Sequence, residues 1–222
     1  MARREYENMG GVEGLIFHAP LNVQGDMTDH VGGLVPTVMS KTLIAWDSTY
    51  GGYRIKPSSY ASSSGGNHFT SGIVYNIDWS PIDQSREYTI LYEIIQYSVV
   101  RYSTSVWPGL CELALADSDT SYYRATRDNY PMNIAGTLNT PIYIASWNRR
   151  RNGINTVGRY LNGENYAEGQ NTYSQEIMNT LRLFVGNQRD GRSSYYNDAV
   201  FKDIMIFDRI LTQDEIKKIQ GL

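Results

Sequence analysis

Two hydrophobic periods run along this chain, and the shorter one dominates. From Glu87 to Tyr97, the residues Tyr88, Ile90, Tyr92, Ile94 and Gln96 alternate with Thr89, Leu91, Glu93, Ile95 and Tyr97. Both faces are mainly apolar, as a strand covered on each side requires, and Glu93 is the exception within them. Residues 14–19, 41–46, 69–75, 181–186 and 201–207 read as further strands, rich in β-branched and aromatic positions. Residues 109–116 and 121–126 read as a hairpin around Asp117-Ser118-Asp119-Thr120. Residues 141–147 and 156–161 read as a second, joined by the basic loop Arg149-Arg150-Arg151-Asn152-Gly153. Asn162-Gly163 has the composition of a two-residue hairpin turn. Residues 22–40 and the Ser/Gly run 58–67 read as surface loops.

The helical signature comes only at the end. Residues 200–207 are apolar on both faces, and Thr212 and Glu215 then have the spacing of a capping box. Ile216 and Ile219 share one face of the short helix so started. Lys217 and Lys218 suit its C-terminal turn, and Gly221 can take the left-handed stop.

Asp203-Ile204-Met205-Ile206-Phe207, then Arg209-Ile210-Leu211-Thr212, then Glu215-Ile216 together resemble the closing signature of laminin G-like domains in the concanavalin A-like lectin/glucanase superfamily. Leu183-Phe184-Val185-Gly186-Asn187 resembles that family's strand ending in Gly-Asn. Arg159-Tyr160-Leu161-Asn162-Gly163-Glu164 resembles its hairpin, and Leu15-Ile16-Phe17-His18-Ala19-Pro20-Leu21 its opening strand. The resemblance implies an all-β fold, an antiparallel jelly-roll-like β-sandwich of concanavalin A-like type with a short C-terminal helix. One domain over residues 14–222 is expected, behind an N-terminal arm over residues 1–13. Function is less determined, because this fold serves lectins, adhesion modules, hydrolases and virion proteins alike.

Composition narrows the partners. A chain of 222 residues can bury a substantial core as one domain. A net charge of -3 gives no electrostatic case for a nucleic-acid backbone, and no apolar run reaches the length of a membrane span. The one cysteine, Cys111, cannot form an intrachain disulfide and lies in an apolar run that suits a buried thiol. The N-terminus carries Arg3 and Arg4 but no apolar core behind them, so it does not read as a secretory signal. A lectin-like fold made in the cytoplasm points to a bacteriophage virion protein, a capsid decoration or fibre-associated component with a structural or adhesive role. Its arm, through Arg3, Arg4 and Tyr6, is expected to bind other virion proteins or copies of itself. The alternative is a carbohydrate-binding module of a bacterial surface or secreted protein, with a polysaccharide hydrolase or lyase as a distant third.

Catalysis is not expected. Enzymes of the resembling superfamily carry alternating acids on one strand face, and Glu93 and Glu112 each stand alone. No Gly-x-Ser-x-Gly elbow or His-Glu-x-x-His pattern occurs, and His18, His30 and His68 lack metal-ligand spacing. The resemblance implies Ca²⁺ as a cofactor to consider, through Asp117 and Asp119 or through Asp26 and Asp29. Neither pair has a third carboxylate beside it, and such loops also serve as Asx turns. Sugar binding in this fold uses aromatic rings beside planar polar groups. The richest such loop holds Asn187, Arg189, Asp190, Tyr195, Tyr196 and Asn197; Trp147 beside the three arginines is a second candidate, and Tyr122-Tyr123 a third. The same residue types also suit packing or a protein interface.

Overall fold

A computed structural model describes residues 12–39, 41–56, 72–78, 80–97, 102–107, 111–114, 122–124, 131–133, 138–152, 154–171, 180–186 and 198–222. Arg3, Arg4, Tyr6, His68, Asp117, Asp119 and the loop from Asn187 to Asn197 lie outside them.

The described chain is an all-β sandwich, antiparallel throughout, with little helix. The larger sheet holds β1 (Leu15–Ala19), β3 (Ile44–Asp47), β4 (Gly52–Ile55), β6 (Glu87–Gln96), β11 (Pro141–Arg151), β12 (Ile154–Leu161), β13 (Glu164–Asn171) and β15 (Ala199–Phe207). Its order is β13-β12-β11-β6-β15-β4-β3, with β1 also on β15. The smaller sheet holds β2 (Thr37–Met39), β5 (Gly72–Asp78), β7 (Tyr102–Trp107), β8 (Cys111–Ala114) and β14 (Thr180–Gly186), in the order β2-β5-β14-β7-β8. A separate ribbon pairs β9 (Tyr122–Arg124) with β10 (Pro131–Asn133). The expected hairpin over 109–126 is therefore not how these strands pair: β8 lies on β7, and β9 on β10. Residues 41–43 form a 3-10 turn, so that strand starts at Ile44.

The alternation read for β6 is the reason the sandwich holds. Tyr88, Ile90, Tyr92 and Ile94 face inward with Ile142, Ile144, Phe201, Ile204 and Ile206, against Ile73, Tyr75, Ile77, Leu183 and Val185 of the smaller sheet. The opposite face of the larger sheet carries Leu91, Ala145, Met205 and Phe207, covered by Val12, Leu211 and Ile216. Glu93 lies on that outer face and pairs with Lys202 at 2.9 Å.

β15 is the organising strand. Its first three residues pair with β4 and its last four with β1, while its other edge stays on β6. At the change of partner, Asp203 and Ile204 stand opposite one residue of β6, and Asp203 has φ 53°. Such a bulge bends and twists the strand, which lets it serve two neighbours on one edge. The Asp203 N–H donates to the Pro20 carbonyl at 2.7 Å, and its carboxylate lies 2.7 Å from His18 Nε2.

Helix α1 (Ser80–Ser85) leads into β6, and α2 (Gln213–Gln220) closes the described chain. The capping box forms as expected: the Glu215 N–H donates to Thr212 Oγ1 at 3.3 Å, and the Thr212 N–H to Glu215 Oε2 at 2.8 Å. Gly221 takes the left-handed stop, at φ 69°. The Arg209 guanidinium also grips Glu215 through both terminal nitrogens, at 2.6 and 3.0 Å. Arg209, with the Thr212 donors, outweighs burial and holds the Glu215 carboxyl down at about 2, from 4.5. Because the folded pKa is depressed, this contribution is complete above about pH 4.5 and is lost as pH falls towards 2. The two side chains are about a third exposed, so solvent screening reduces the contribution to about 1–2 kcal/mol. Urea titrations at pH 6 and pH 2.5 should show that loss in the parent protein and a smaller one in Glu215→Gln.

Candidate functional site

The best-built polar constellation lies at the end of the larger sheet where β4, β6 and β15 finish side by side. Ala199 is paired there with both Ile55 and Gln96. Asp47 and Tyr50 come from the turn between β3 and β4, at the other end of β4, and join this group through Tyr97. Asp47 ends β3, and its Oδ1 accepts from the N–H groups of Thr49 and Tyr50, which fixes the turn. Arg54 on β4 meets Asp198 in a two-pronged pair: Nε to Oδ1 at 2.7 Å and a terminal nitrogen to Oδ2 at 2.8 Å. The same guanidinium lies 3.7 Å from the centre of the Tyr97 ring. Tyr50 meets Tyr97 edge-on at 5.8 Å, and its hydroxyl donates to the Asn139 carbonyl at 3.0 Å. Tyr97 donates from its hydroxyl to Asp47 Oδ2 at 2.6 Å.

Charges here hold one another in place. Burial tends to raise Asp47, but the Tyr97 hydroxyl, the two turn amides and Arg54 together keep it below its ordinary value. Burial and the Asp47 carboxylate push Tyr97 up to about 12, so its hydroxyl stays protonated at neutral pH. Arg54 is raised by Asp198, against its partial burial. The result is a half-buried, preorganised group of two rings, one guanidinium and two carboxylates. Such a group leaves little side-chain ordering to be done when a ligand arrives.

Asp198 directly follows the segment from Asn187 to Asn197 that the sequence singles out. That segment, with Arg189, Asp190, Tyr195 and Tyr196, lies outside the described residues. Trp147 does not serve as an open ring. It is 8% exposed, and its indole lies over Gly158, where an added Cβ would sit 2.3 Å from the ring. Tyr122 and Tyr123 lie in β9. Asp26 and Asp29 are taken up by their own loop. Buried Asp29 accepts from the N–H groups of His18, Val31 and Gly32, and Asp26 accepts from Thr28 and meets His30 Nε2 at 2.7 Å. Among the described residues, no group of three or more His, Cys, Asp or Glu is arranged to hold a metal.

Comparison of the sequence with protein-family models finds no match, and comparison with curated proteins finds none either. Comparison with solved structures does. A Trypanosoma rangeli sialidase in complex with sialic acid superposes with a TM-score of 0.68 at 12% identity, over 94% of this chain and 33% of that one. A structure of botulinum neurotoxin type C, whose cell entry depends on two ganglioside molecules, gives 0.64 at 10% identity over 94% of this chain and 51% of that one. The binding domain of botulinum neurotoxin DC in complex with SialylT gives 0.62 at 10% identity over 94% and 51%.

What these proteins share with the chain is the fold. The chain spans about a third of the sialidase's length and about half of the toxins'. The expectation of a non-enzymatic protein is corrected by this likeness, since enzymes share the fold over nearly the whole chain. A fold that enzymes share gives no ground for excluding catalysis.

Proposed function

We propose that this chain is a carbohydrate-binding β-sandwich that takes glycans, sialylated ones foremost, at the sheet end built from Asp47, Tyr50, Arg54, Tyr97 and Asp198. The observation that carries the reading is the packed set of two tyrosines and a guanidinium, held between two carboxylates at the base of the Asn187–Asn197 segment. The likeness in fold to structures holding sialic acid or a sialylated glycan supports it. A glycan array followed by calorimetry tests it. Tyr50→Ala and Arg54→Ala should each weaken binding about tenfold, the order expected for one lost ring or charged contact. Tyr195→Ala and Tyr196→Ala are expected to add to that loss. An array without binders, or affinities indifferent to all four substitutions, overturns the reading. Following the same mixtures for released sugar measures turnover directly.

The finer reading is a laminin G-like domain on a bacteriophage particle, beside other virion proteins or copies of itself. The closing motif supports the laminin G-like part, since Arg209, Thr212, Glu215 and Ile216 act together at the end of the sandwich. The virion part has only the expectation from the sequence behind it, and mass spectrometry of purified particles tests it.

A further inference from the structure

The opposite end of β6 carries a second surface that the reading above does not use. Tyr97 and Glu87 lie at the two ends of this strand, about 30 Å apart at the ordinary rise per residue. At the Glu87 end, β11 and β12 run out into a hairpin, with Arg149 facing Glu87 and Thr156, and Arg151 facing Ile154. Directly opposed residues share a face, so Arg149, Arg151, Thr156, Ile154 and Glu87 lie together on the outer face.

The charge on this face is unequal. Arg149 Nε donates to Glu87 Oε1 at 2.8 Å, and a terminal nitrogen of Arg151 donates to the same oxygen at 3.0 Å. Two guanidiniums thus share one carboxylate, leaving an excess positive charge at the surface. Arg149 uses only Nε and Arg151 only one terminal nitrogen in these contacts, so each keeps donors for a further acceptor. Arg151 is 71% exposed and Arg149 40%, while Glu87 beneath them is 19% exposed. Ile154, 42% exposed, sets an apolar side chain beside Arg151. Two guanidinium forks, held from below and flanked by an aliphatic contact, match a planar carboxylate or a sulfate carried on a sugar ring.

We infer that the Arg149/Arg151 hairpin tip is a second binding site, for the carboxylate or sulfate of an acidic polysaccharide. A phosphate backbone fits less well. The patch is short and the chain as a whole carries a net charge of -3, whereas nucleic-acid domains spread basic residues along a face. The inference stands apart from the site at the Tyr97 end.

Calorimetry with alginate (carboxylate, without sialic acid), dextran sulfate (sulfate) and neutral dextran tests it. The acidic chains should bind, with affinity falling as salt rises, and neutral dextran should not. Arg151→Ala should weaken binding about tenfold, the scale of a lost charge-assisted fork. Glu87→Gln should tighten it about threefold by releasing both guanidiniums from their shared oxygen. Lys218→Ala, which removes a cation of the same sign from helix α2, should leave it unchanged, which separates this site from a general charge effect. Equal binding of neutral dextran, no response to Arg151→Ala, or tighter binding of an oligonucleotide or an anionic vesicle of matched charge would each overturn the proposal. Should the Arg149→Ala/Arg151→Ala double variant fail to fold, the exposed Arg151→Ala alone decides.

Discussion

A Gly158→Ala variant melts about 5–10 °C below the parent protein, a loss of about 2–3 kcal/mol at this chain length. Alanine in a strand ordinarily gains up to about 1 kcal/mol over glycine, because the unfolded glycine has more freedom to lose. Here the sign reverses. The new Cβ would lie 2.3 Å from Trp147 Cε2 and Cζ2 and 2.4 Å from Nε1, all in one rigid ring. Trp147 cannot simply lift away, because it is buried between its β-sheet neighbours, directly opposite Thr89 on one side and Gly158 on the other. The strand or the indole must shift, and either movement disturbs the β6-β11-β12 register. Circular dichroism melts of Gly158→Ala, Trp147→Leu and the double variant form the check. The double variant should be more stable than the sum of the single losses predicts, and strict additivity would show that the ring is not the obstacle.

Asp203→Val has the second large expected effect, also about 2–3 kcal/mol. A β-branched residue at φ 53° strains the backbone by about 1–2 kcal/mol. The contact with His18 at 2.7 Å goes as well, worth roughly 1 kcal/mol more. Asp203→Asn should stay within about 0.5 kcal/mol of the parent, since asparagine tolerates this conformation and keeps an oxygen for the imidazole. Asp203→Gly should fall between, relieved of strain but without the contact. Urea denaturation of the three variants distinguishes these outcomes, and equal stability of the Val and Asn forms would remove the bulge argument.

What the sequence made legible was whatever is encoded over a few neighbouring residues. The capping box of Thr212 and Glu215, the Asn162-Gly163 turn and the two-faced apolar run of β6 each depend on side chains within ten positions of one another, and each forms as expected. The turn has both residues at positive φ, 47° and 75°. The candidate site was much less legible, because Arg54 and Asp198 are 144 positions apart and no local spacing announces their pair. Tyr50-Gly51-Gly52-Tyr53 has the composition of a turn, yet nothing in it shows that Tyr97 arrives beside it. Trp147 illustrates the converse. Its neighbours in sequence, Asn148 and the arginines, suggest a binding loop, but the strand period turns the indole onto a glycine eleven residues later. The change of partner at Asp203 was hidden too, since an aspartate in an apolar strand reads the same whether it bulges or points to solvent.

The central position of β15 bears on how the protein is made. A strand that joins β6 on one edge to β4 and then β1 on the other is synthesised after all of its partners. Until residue 207 has left the ribosome, the nascent chain holds two partial sheets with unpaired edges and a gap where the middle belongs. Leu91 and Ala145 then still await the Ile216 side of the terminal helix. That interval is when the chain is most open to wrong pairing with another copy, so faster elongation through the codons for β15, or a chaperone that occupies the gap, should raise the soluble yield.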